Sequence, residues 1–314
     1  MVGAALISAL AHAAEPSATP RIGVLVPSLA HSPLEQGLRD GLREVGYIEG
    51  KNIVIEWRRY ARADQELQSL ATDLVQSTVD LIVTLGSPAT RAALKASTGP
   101  VVFTAVGDPV ATGFAASLAK PGGHGTGIST LSTELIAKRL ELLHQAAPRA
   151  GRILYLMNSS NPINARALEE VQKAARALSL KLETLDIRDA ASIDAAFRAK
   201  SHSATDAVLV AADFLFLANK AKIAWNVRKL RLPAMVPFRE NLDDGLLMSY
   251  GPNLNEVMRR AAIYVDKILK GAKPGDLPIE QMSKYELIID LRVARAMGIH
   301  VPQELLLFAD EVIR

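Results

Sequence analysis

The chain has 314 residues, 49% of them apolar, and a formal net charge of +3 at pH 7. A chain of this length can bury a large core and is expected to divide into two domains. Lys and Arg are spread along the sequence rather than clustered, which argues against a nucleic-acid-binding face. The absence of cysteine excludes disulfides, thiol nucleophiles, thiolate metal sites and a cysteine-linked lipid anchor.

The first twenty residues are typical of a secretory signal. An apolar run from Val2 to Ala11 leads into the small-x-small pattern Ala11-His12-Ala13 and then a polar spacer with prolines. We expect residues 1–20 to form a signal or leader segment. The usual basic residues after Met1 are absent, which leaves two alternatives: a start internal to a longer leader, or a segment without a targeting role. No other stretch approaches the roughly 18–20 apolar residues that span a bilayer, so we expect a soluble mature chain.

From Arg21 the pattern alternates strands and helices. In chain order it predicts strand 21–28, helix 34–45, strand 52–57, helix 67–75, strand 80–86, a helix from 88, strand 100–109 and a short helix to 118. Strands separated by helices imply right-handed parallel crossovers and an open sheet covered on both faces. The segment 120–129, with four glycines and a proline, is predicted to be a connection between domains.

The alternation then begins again. It predicts helix 135–143, strand 152–160, a helix ending near 178, strand 180–186, helix 193–199, strand 206–213, helix 214–229 and strands 234–238 and 246–250. An amphipathic helix over 254–269, an extended stretch over 279–290 and short helices within 296–306 complete the chain. Two α/β lobes followed by these elements indicate that the chain crosses between the lobes a second and a third time.

Ligands of open parallel sheets bind beyond the carboxyl ends of the strands, where helix N-termini and loops converge. These predicted strand ends carry small, hydroxylic, amide, acidic and aromatic residues in both lobes. They are Pro27-Ser28, Gly86-Ser87 and Gly107-Asp108-Pro109 in the first lobe, and Asn158-Ser159-Ser160-Asn161, Asp213, Phe238-Arg239-Glu240 and Ser249-Tyr250-Gly251 in the second. Their distribution favours a cleft that closes between two lobes.

Each of these residues also has a purely structural interpretation. A Ser, Asp or Asn before a helix is a common N-cap, an interpretation that applies to Ser87, Asp108, Asn161 and Asp213. Arg239 and Glu240 are compatible with a surface ion pair of little energetic value, and Tyr250 with packing. The joint location of the set is what favours a binding site.

Catalytic patterns are weak. Ser87 lies between Gly86 and Pro88 and does not match the nucleophile motif G-x-S-x-G. No two of the six histidines are at metal-ligand spacing, so neither a metal nor a cofactor is predicted. A helix N-terminus at Ser87 would attract an anion, with Ser87 as its cap. For a zwitterion, Asp108 or Asp213 would accept the ammonium group, and Phe238 and Tyr250 are candidate apolar walls.

The sequence resembles a known family. The segments GSPAT (86–90), DPVATG (108–113), PGGHGTG (121–127) and LKGAKP (269–274) are similar in order and spacing to the substrate-binding proteins of ABC transporters of the tryptophan/tyrosine type. The similarity covers nearly everything after residue 20. It implies a type I periplasmic-binding fold with a three-segment hinge, a small ligand held between the lobes, delivery to a membrane permease from the periplasm, and no catalysed reaction.

The resemblance also implies lobes of 21–127 with 252–276 and of 128–251 with 277–314. It places Ser87 to Thr90, Asp108 and Asp213 at the cleft. The segment PFRENLDDG departs from the family pattern, and Arg239 within it favours a carboxylate-bearing aromatic or other organic acid. The expected ligand set is Ser28, Gly86, Ser87, Thr90, Asp108, Asn158, Ser159, Ser160, Asp213, Phe238, Arg239 and Tyr250. A monomer is expected, and a periplasmic ligand sensor or a hydrolase using Ser87 remain alternatives.

Overall fold

The computed structural model describes residues 19–28, 33–60, 64–200 and 205–314. Its strands are β1 (Arg21–Pro27), β2 (Val54–Tyr60), β3 (Leu81–Leu85), β4 (Val101–Val106), β5 (Gly125–Ser129), β6 (Arg152–Met157), β7 (Lys181–Asp186), β8 (Ala207–Val210), β9 (Ala234–Val236), β10 (Met248–Gly251), β11 (Glu280–Gln281), β12 (Glu286–Asp290) and β13 (Glu311–Ile313). The predicted leader lies outside these residues except for positions 19 and 20.

The helices follow the predicted alternation closely. They are α1 (Pro33–Glu44), α2 (Asp64–Gln76), α3 (Ser87–Ala96), α4 (Leu135–Ala146), α5 (Pro162–Ala177), α6 (Ile193–Lys200), α7 (Phe214–Ala218), α8 (Lys220–Lys229), α9 (Leu254–Leu269), α10 (Leu291–Met297) and α11 (Gln303–Phe308), with 3-10 turns at Arg239–Asp244 and Pro274–Asp276. Within the described residues, no helix combines the length and the apolar character needed to cross a bilayer.

The strands form two separate sheets, one for each lobe. The first has the order β11-β5-β4-β3-β1-β2 and the second the order β13-β12-β10-β9-β8-β6-β7. Neighbouring strands are parallel except that β10 and β12 run antiparallel. The central strands β3 and β4 are buried along their whole length, as expected for strands covered by helices on both faces. The predicted fold class of two doubly wound parallel-sheet lobes is confirmed.

The chain passes between the lobes three times. Residues 130–134 lead from β5 to α4, residues 252–253 from β10 to α9, and residues 282–285 from β11 to β12. The helix α9 packs with the first-lobe core and β11 pairs with β5. The first lobe therefore extends to Ser129 in its first segment and to Met282 in its last, beyond the predicted limits of 127 and 276.

A buried arginine connects two of these crossings. Arg139 on α4 is fully buried, and its Nε donates a hydrogen bond to the carbonyl of Tyr250 at 2.7 Å. Its Nη1 donates to the carbonyl of Ser132 in the first crossing at 3.4 Å. Burial lowers the pKa of Arg139 to about 10, so the side chain stays charged at neutral pH. Both contacts fasten crossing segments to the second lobe.

Three local predictions are wrong. Residues 110–118 form turns rather than a helix. The single helix predicted over 214–229 is divided at Asn219 into α7 and α8. The predicted connection 120–129 contains β5, which is buried between β4 and β11 in the first sheet.

Gly127 explains why a glycine-rich segment forms this inner strand. Its φ is 149°, and a Cβ at this position would lie 1.9 Å from the carbonyl oxygen of Phe103 on β4. The register between β4 and β5 shifts between Phe103 and Val106, next to this close approach. A strand can pair here because the residue has no side chain.

We expect Gly127→Ala to lower the free energy of unfolding by more than about 2 kcal/mol, because the added Cβ forces β4 and β5 apart. Urea denaturation followed by circular dichroism measures this change. Gly123→Ala is the matched control, since a Cβ there has nothing within 4 Å, and its effect should stay within about 0.5 kcal/mol. Equal stability of the two variants would contradict the prediction.

Candidate ligand-binding site

A cavity of about 330 Å³ lies between the lobes at the carboxyl ends of the strands. Its first-lobe wall is made by residues at the end of β2 and on α2 and α3, and its second-lobe wall by residues after β6 and β8. The lining residues are Tyr60, Leu67, Gln68, Ser87, Pro88, Arg91, Ala92, Lys95, Asn158, Ser160, Asn161, Asp213, Phe214, Leu215 and Ala218. This volume lies in the range of small-molecule sites.

The N-terminus of α3 faces this cavity. Gly86 is the N-cap, with φ 85° and ψ 163°, so Ser87 is the first helical residue and not the predicted cap. The side chain of Ser87 is only 6% exposed and makes no hydrogen bond to any described residue. Because Pro88 has no N–H, Ser87 and Ala89 hold the unpaired amides of this turn within the described chain. These amides and the helix dipole make this wall electropositive.

Thr90 lies behind the wall and does not line the cavity. It is fully buried, and its hydroxyl donates to the carbonyl of Gly86 at 2.8 Å and lies 2.8 Å from the hydroxyl of Thr84. Thr90 thus holds the first turn of α3 against β3 and acts on the site only through the backbone.

Asp213 is the acidic group of the second-lobe wall. Its side chain is 2% exposed, and its Oδ1 accepts the N–H of Leu215 at 2.8 Å as the N-cap of α7. Its Oδ2 accepts hydrogen bonds from the amides of Asn161 and Asn164, each at 2.9 Å. Burial raises the pKa of Asp213 above its ordinary value, although these donors act in the opposite direction. The carboxylate therefore lacks a full counter-charge.

The amide groups around Asp213 hold it in position. Asn161 is the predicted N-cap of α5, and its amide nitrogen reaches across to Asp213. Asn158 and Ser160 line the cavity, with the N–H of Ser160 bonded to Oδ1 of Asn158 at 3.0 Å. The predicted strand end 158–161 thus supplies much of this wall.

Tyr60 is a cavity residue that the sequence analysis missed. It is the last residue of β2, is buried, and its hydroxyl lies 3.5 Å from the carbonyl of Leu85. Burial and the nearby charge of Asp213 raise the pKa of its phenol, so the hydroxyl keeps its proton. Tyr60 lies at the carboxyl end of a strand, as the predicted site residues do. It was not selected because the predicted strand ended at residue 57 and the actual strand ends at residue 60.

The two lobes touch at the edge of the cavity. A Cβ on Gly86 would lie 2.3 Å from a ring atom of Phe214, so the ring rests directly on the Gly86 backbone. Phe214 stacks on Phe238 with centroids 5.6 Å apart, and both rings belong to the apolar cluster of the first lobe. Arg166 on α5 forms an ion pair with Asp108 at 3.1 Å across the cleft. These contacts hold the lobes in a closed arrangement.

Asp108 and Phe238 therefore lie beside the cavity rather than in its lining. The carboxylate of Asp108 accepts the N–H groups of Val110 and Ala111 and caps a turn, not the predicted helix. Phe238 supports Phe214 from behind and is 2% exposed. Both contribute to closure of the lobes.

Four other predicted residues lie outside the cavity, namely Ser28, Ser159, Arg239 and Tyr250. Ser28 is exposed at the end of β1, and its N–H donates to the carbonyl of Tyr60. Ser159 donates both its N–H and its hydroxyl to Asp186. Neither side chain lines the cavity.

Arg239 and Tyr250 are also directed elsewhere. The guanidinium of Arg239 forms a two-pronged ion pair with Glu311 on β13. Tyr250 packs on Tyr285 with ring centroids 6.2 Å apart and offers its carbonyl to Arg139. The interpretation of Arg239 as a ligand-facing cation is not supported by this position, whereas that of Tyr250 as a packing residue agrees with it.

Two cations on α3 do line the cavity and were not predicted. Arg91 and Lys95 are exposed and lie on the cavity-facing side of the helix together with Ser87 and Pro88. No histidine lies among the described lining residues, so Ser87 has no imidazole base within the site.

A family comparison decides the class of protein. The profile of the family described as ABC transporter substrate binding protein matches residues 22–313. The chain belongs to this family.

Individual relatives agree with this assignment. The "Tyrosine-binding protein" of Clostridioides difficile is 25% identical over 277 residues, which cover 88% of this chain and 79% of that protein. A conserved domain protein of Vibrio cholerae has a TM-score of 0.86 at 25% identity, covering 94% of this chain and 100% of its own. An ABC domain from Streptococcus pneumonia in complex with L-Trp has a TM-score of 0.84 at 24% identity, with the same coverage.

We expect Gly86→Ala to hinder closure of the lobes, because the added Cβ would overlap the ring of Phe214. The chain has no cysteine, so Asp108→Cys with Arg166→Cys supplies two unique thiols that face each other only when the lobes meet. A short bis-maleimide should link these thiols at least about tenfold more slowly in the Gly86→Ala background, a penalty of about 1.4 kcal/mol or more. Gel mobility measures the rate.

Gly50→Ala is the control for backbone strain. Gly50 has a φ of 79°, close to that of Gly86, but a Cβ there has nothing within 4 Å. This variant should be linked at the parent rate. A similar slowing in both variants would attribute the effect to strain and contradict a role for the Phe214 contact.

Proposed function

We propose that this protein captures an aromatic amino acid in the cavity and delivers it to the permease of an ABC importer, without catalysing a reaction. One observation carries the proposal: the electropositive N-terminus of α3 and the buried carboxylate of Asp213 face the same closed cavity from opposite lobes. An amino acid is a zwitterion of a size that can touch both walls.

The α-carboxylate belongs at the α3 wall. The amides of Ser87 and Ala89 and the hydroxyl of Ser87 are donors that the protein itself leaves unpaired in the described residues. A carboxylate at a helix N-terminus gains from hydrogen bonds and from the helix dipole together. Gly86 allows this approach because its backbone adopts a left-handed φ ahead of the helix.

The α-ammonium belongs at Asp213. The surrounding amides fix the carboxylate in place but do not neutralise its charge, and its raised pKa reflects this deficit. A charge-assisted hydrogen bond from an ammonium group supplies the missing counter-charge. Asn158 and Ser160 add polar groups on the same wall.

The remaining lining suits an aromatic side chain. Tyr60, Leu67, Phe214 and Leu215 form an apolar surface next to the polar groups. Offset stacking on aromatic rings favours an aromatic ligand over an aliphatic one of equal size. Two relatives, a tyrosine-binding protein and an ABC domain in complex with L-Trp, support this class.

Ligand capture would operate through the three crossings. A ligand that contacts both lobes at once stabilises the closed state and shifts the population toward it. We further propose that the protein acts as a monomer in the periplasm, with the predicted leader directing export. The absence of a histidine among the described lining residues favours binding over hydrolysis by a Ser–His pair.

Isothermal titration calorimetry tests the ligand class. L-tyrosine or L-tryptophan should bind, whereas tyramine, which lacks the carboxylate, and 3-(4-hydroxyphenyl)propionate, which lacks the ammonium group, should bind at least about tenfold more weakly, as expected when a charge-assisted bond is lost. Equal binding of the zwitterion and either analogue would contradict the proposed orientation. No binding of any amino acid would overturn the proposed function.

We expect Asp213→Asn to weaken binding of the amino acid by about 1.5–3 kcal/mol, the contribution of a hydrogen bond to a charged group. Asp186→Asn is the matched control, because Asp186 also ends a second-lobe strand but pairs with Ser159 and Arg188 outside the cavity. Its affinity should equal that of the parent. An Asp213→Asn variant that binds normally would place the ammonium group elsewhere.

The affinity should also depend on pH through Asp213. The raised pKa means that the ligand-free folded protein takes up a proton at this carboxyl above the ordinary value of 3.8, which stabilises the fold as the pH falls. The ammonium group binds the ionised form, so protonation costs affinity. Titrations from neutral pH down toward that value should show a progressive loss of affinity in the parent and a flat profile in Asp213→Asn. Parallel profiles would contradict the assignment.

A further inference from the structure

We infer that the natural ligand carries a second anionic group at the end of its side chain, held by Arg91 and Lys95. This inference rests on the proposed function, since it assigns the amino-acid head to Ser87 and Asp213. It narrows the ligand from an aromatic amino acid in general to one with an acidic substituent, such as a carboxylate.

The two cations follow Ser87 along one face of α3. Ser87, Arg91 and Lys95 are four residues apart in turn, so they share one face of the helix, and all three line the cavity. At 1.5 Å of rise per residue, Lys95 lies about 12 Å from Ser87 along the helix axis. The cations therefore lie one and two turns along α3 from the carboxylate-binding turn.

The charged residues of the lining are divided between the two lobes. Asp213 is the acidic residue among the described lining residues, and it is buried in the other lobe beside the start of α3. Neither Arg91 nor Lys95 forms an ion pair with a described carboxylate. By contrast, the cations Arg39 and Arg59 near β2 both pair with Glu35. A ligand with a neutral side chain would leave two unpaired cations one turn apart, which is unfavourable.

Arg91 also lies over an aromatic ring. Its guanidinium carbon lies 5.3 Å from the centroid of the Phe114 ring, which orients the group through a cation–π contact. A cation–π contact does not consume the guanidinium N–H groups, and no described residue accepts a hydrogen bond from them, so they remain donors for a planar anion such as a carboxylate. Gln68 on α2 adds an amide to the lining.

Much of the remaining lining is apolar. Leu67 and Ala92 on the first lobe and Leu215 and Ala218 on the second lie among the lining residues. The complementary ligand thus has a zwitterionic head, an apolar or aromatic middle and an anionic end. An aromatic amino acid with an acidic group at the para position has this order of groups.

Calorimetry with L-phenylalanine, L-tyrosine and 4-carboxy-L-phenylalanine tests the inference. The carboxylated amino acid should bind at least about tenfold more tightly than L-phenylalanine, and this ratio should fall as salt is added. In the variant with Arg91→Gln and Lys95→Gln the ratio should fall to about one. The variant with Arg228→Gln and Arg231→Gln removes the same charge from second-lobe residues outside the cavity and should keep the parent ratio.

The outcomes separate this inference from the proposed function. If L-tyrosine or L-phenylalanine binds and the carboxylated amino acid is not preferred, the inference is wrong and the proposed function stands. A preference that survives Arg91→Gln with Lys95→Gln, or that is lost equally in the control variant, also overturns the inference. If none of these three amino acids binds and L-tryptophan does not bind either, both fail.

Discussion

The contact between Phe214 and the backbone of Gly86 determines where the two lobes meet. Gly86 immediately precedes the first turn of α3, and Phe214 immediately follows Asp213. The same contact therefore brings an electropositive helix N-terminus and a buried carboxylate to one cavity. A side chain at position 86 would push Phe214 away from Gly86 and, with it, Asp213 away from the N-terminus of α3. The electrostatics of the site therefore depend on the absence of a side chain at this one glycine.

The polar groups of the site favour ligand binding at the expense of the stability of the ligand-free fold. Burying a carboxylate without a counter-ion is unfavourable, and the amides around Asp213 offset only part of that cost. Unpaired amides at the start of α3 have a similar effect on the other lobe. Groups that the fold leaves unsatisfied on both walls are satisfied together only by a molecule that bridges them.

Much of the fold could be predicted from the sequence because parallel strands covered by helices have a strong apolar pattern. The exceptions have physical reasons. Tyr60 was missed because two charged residues, Arg58 and Arg59, precede it in the edge strand β2, so the apolar pattern ends at Trp57. The strand β5 was missed because its glycines resemble a loop in composition, although one of them, Gly127, is required by the close approach of β4.

The site itself was harder to predict than the fold. The rule on strand ends located Ser87, Asn158 and Asp213, which all line the cavity. The same rule also selected Arg239, which does not line the cavity. Its side chain pairs with Glu311, 72 residues further along the chain, and the sequence gives no sign of this contact. Arg91 and Lys95 were not predicted as site residues because cations on an amphipathic helix usually indicate a solvated face. Only the tertiary structure brings them to the cleft.

Arg139 has a mechanical consequence for how the lobes rotate. Because its guanidinium holds the carbonyls of Ser132 and Tyr250, the second-lobe ends of two crossings are rigidly attached to α4. In the proposed opening of the lobes, torsional change would then be concentrated on the first-lobe side of those crossings, at the end of β5 and the start of α9. The rotation axis would be displaced toward the first lobe, and the second lobe would turn as a single lever about it.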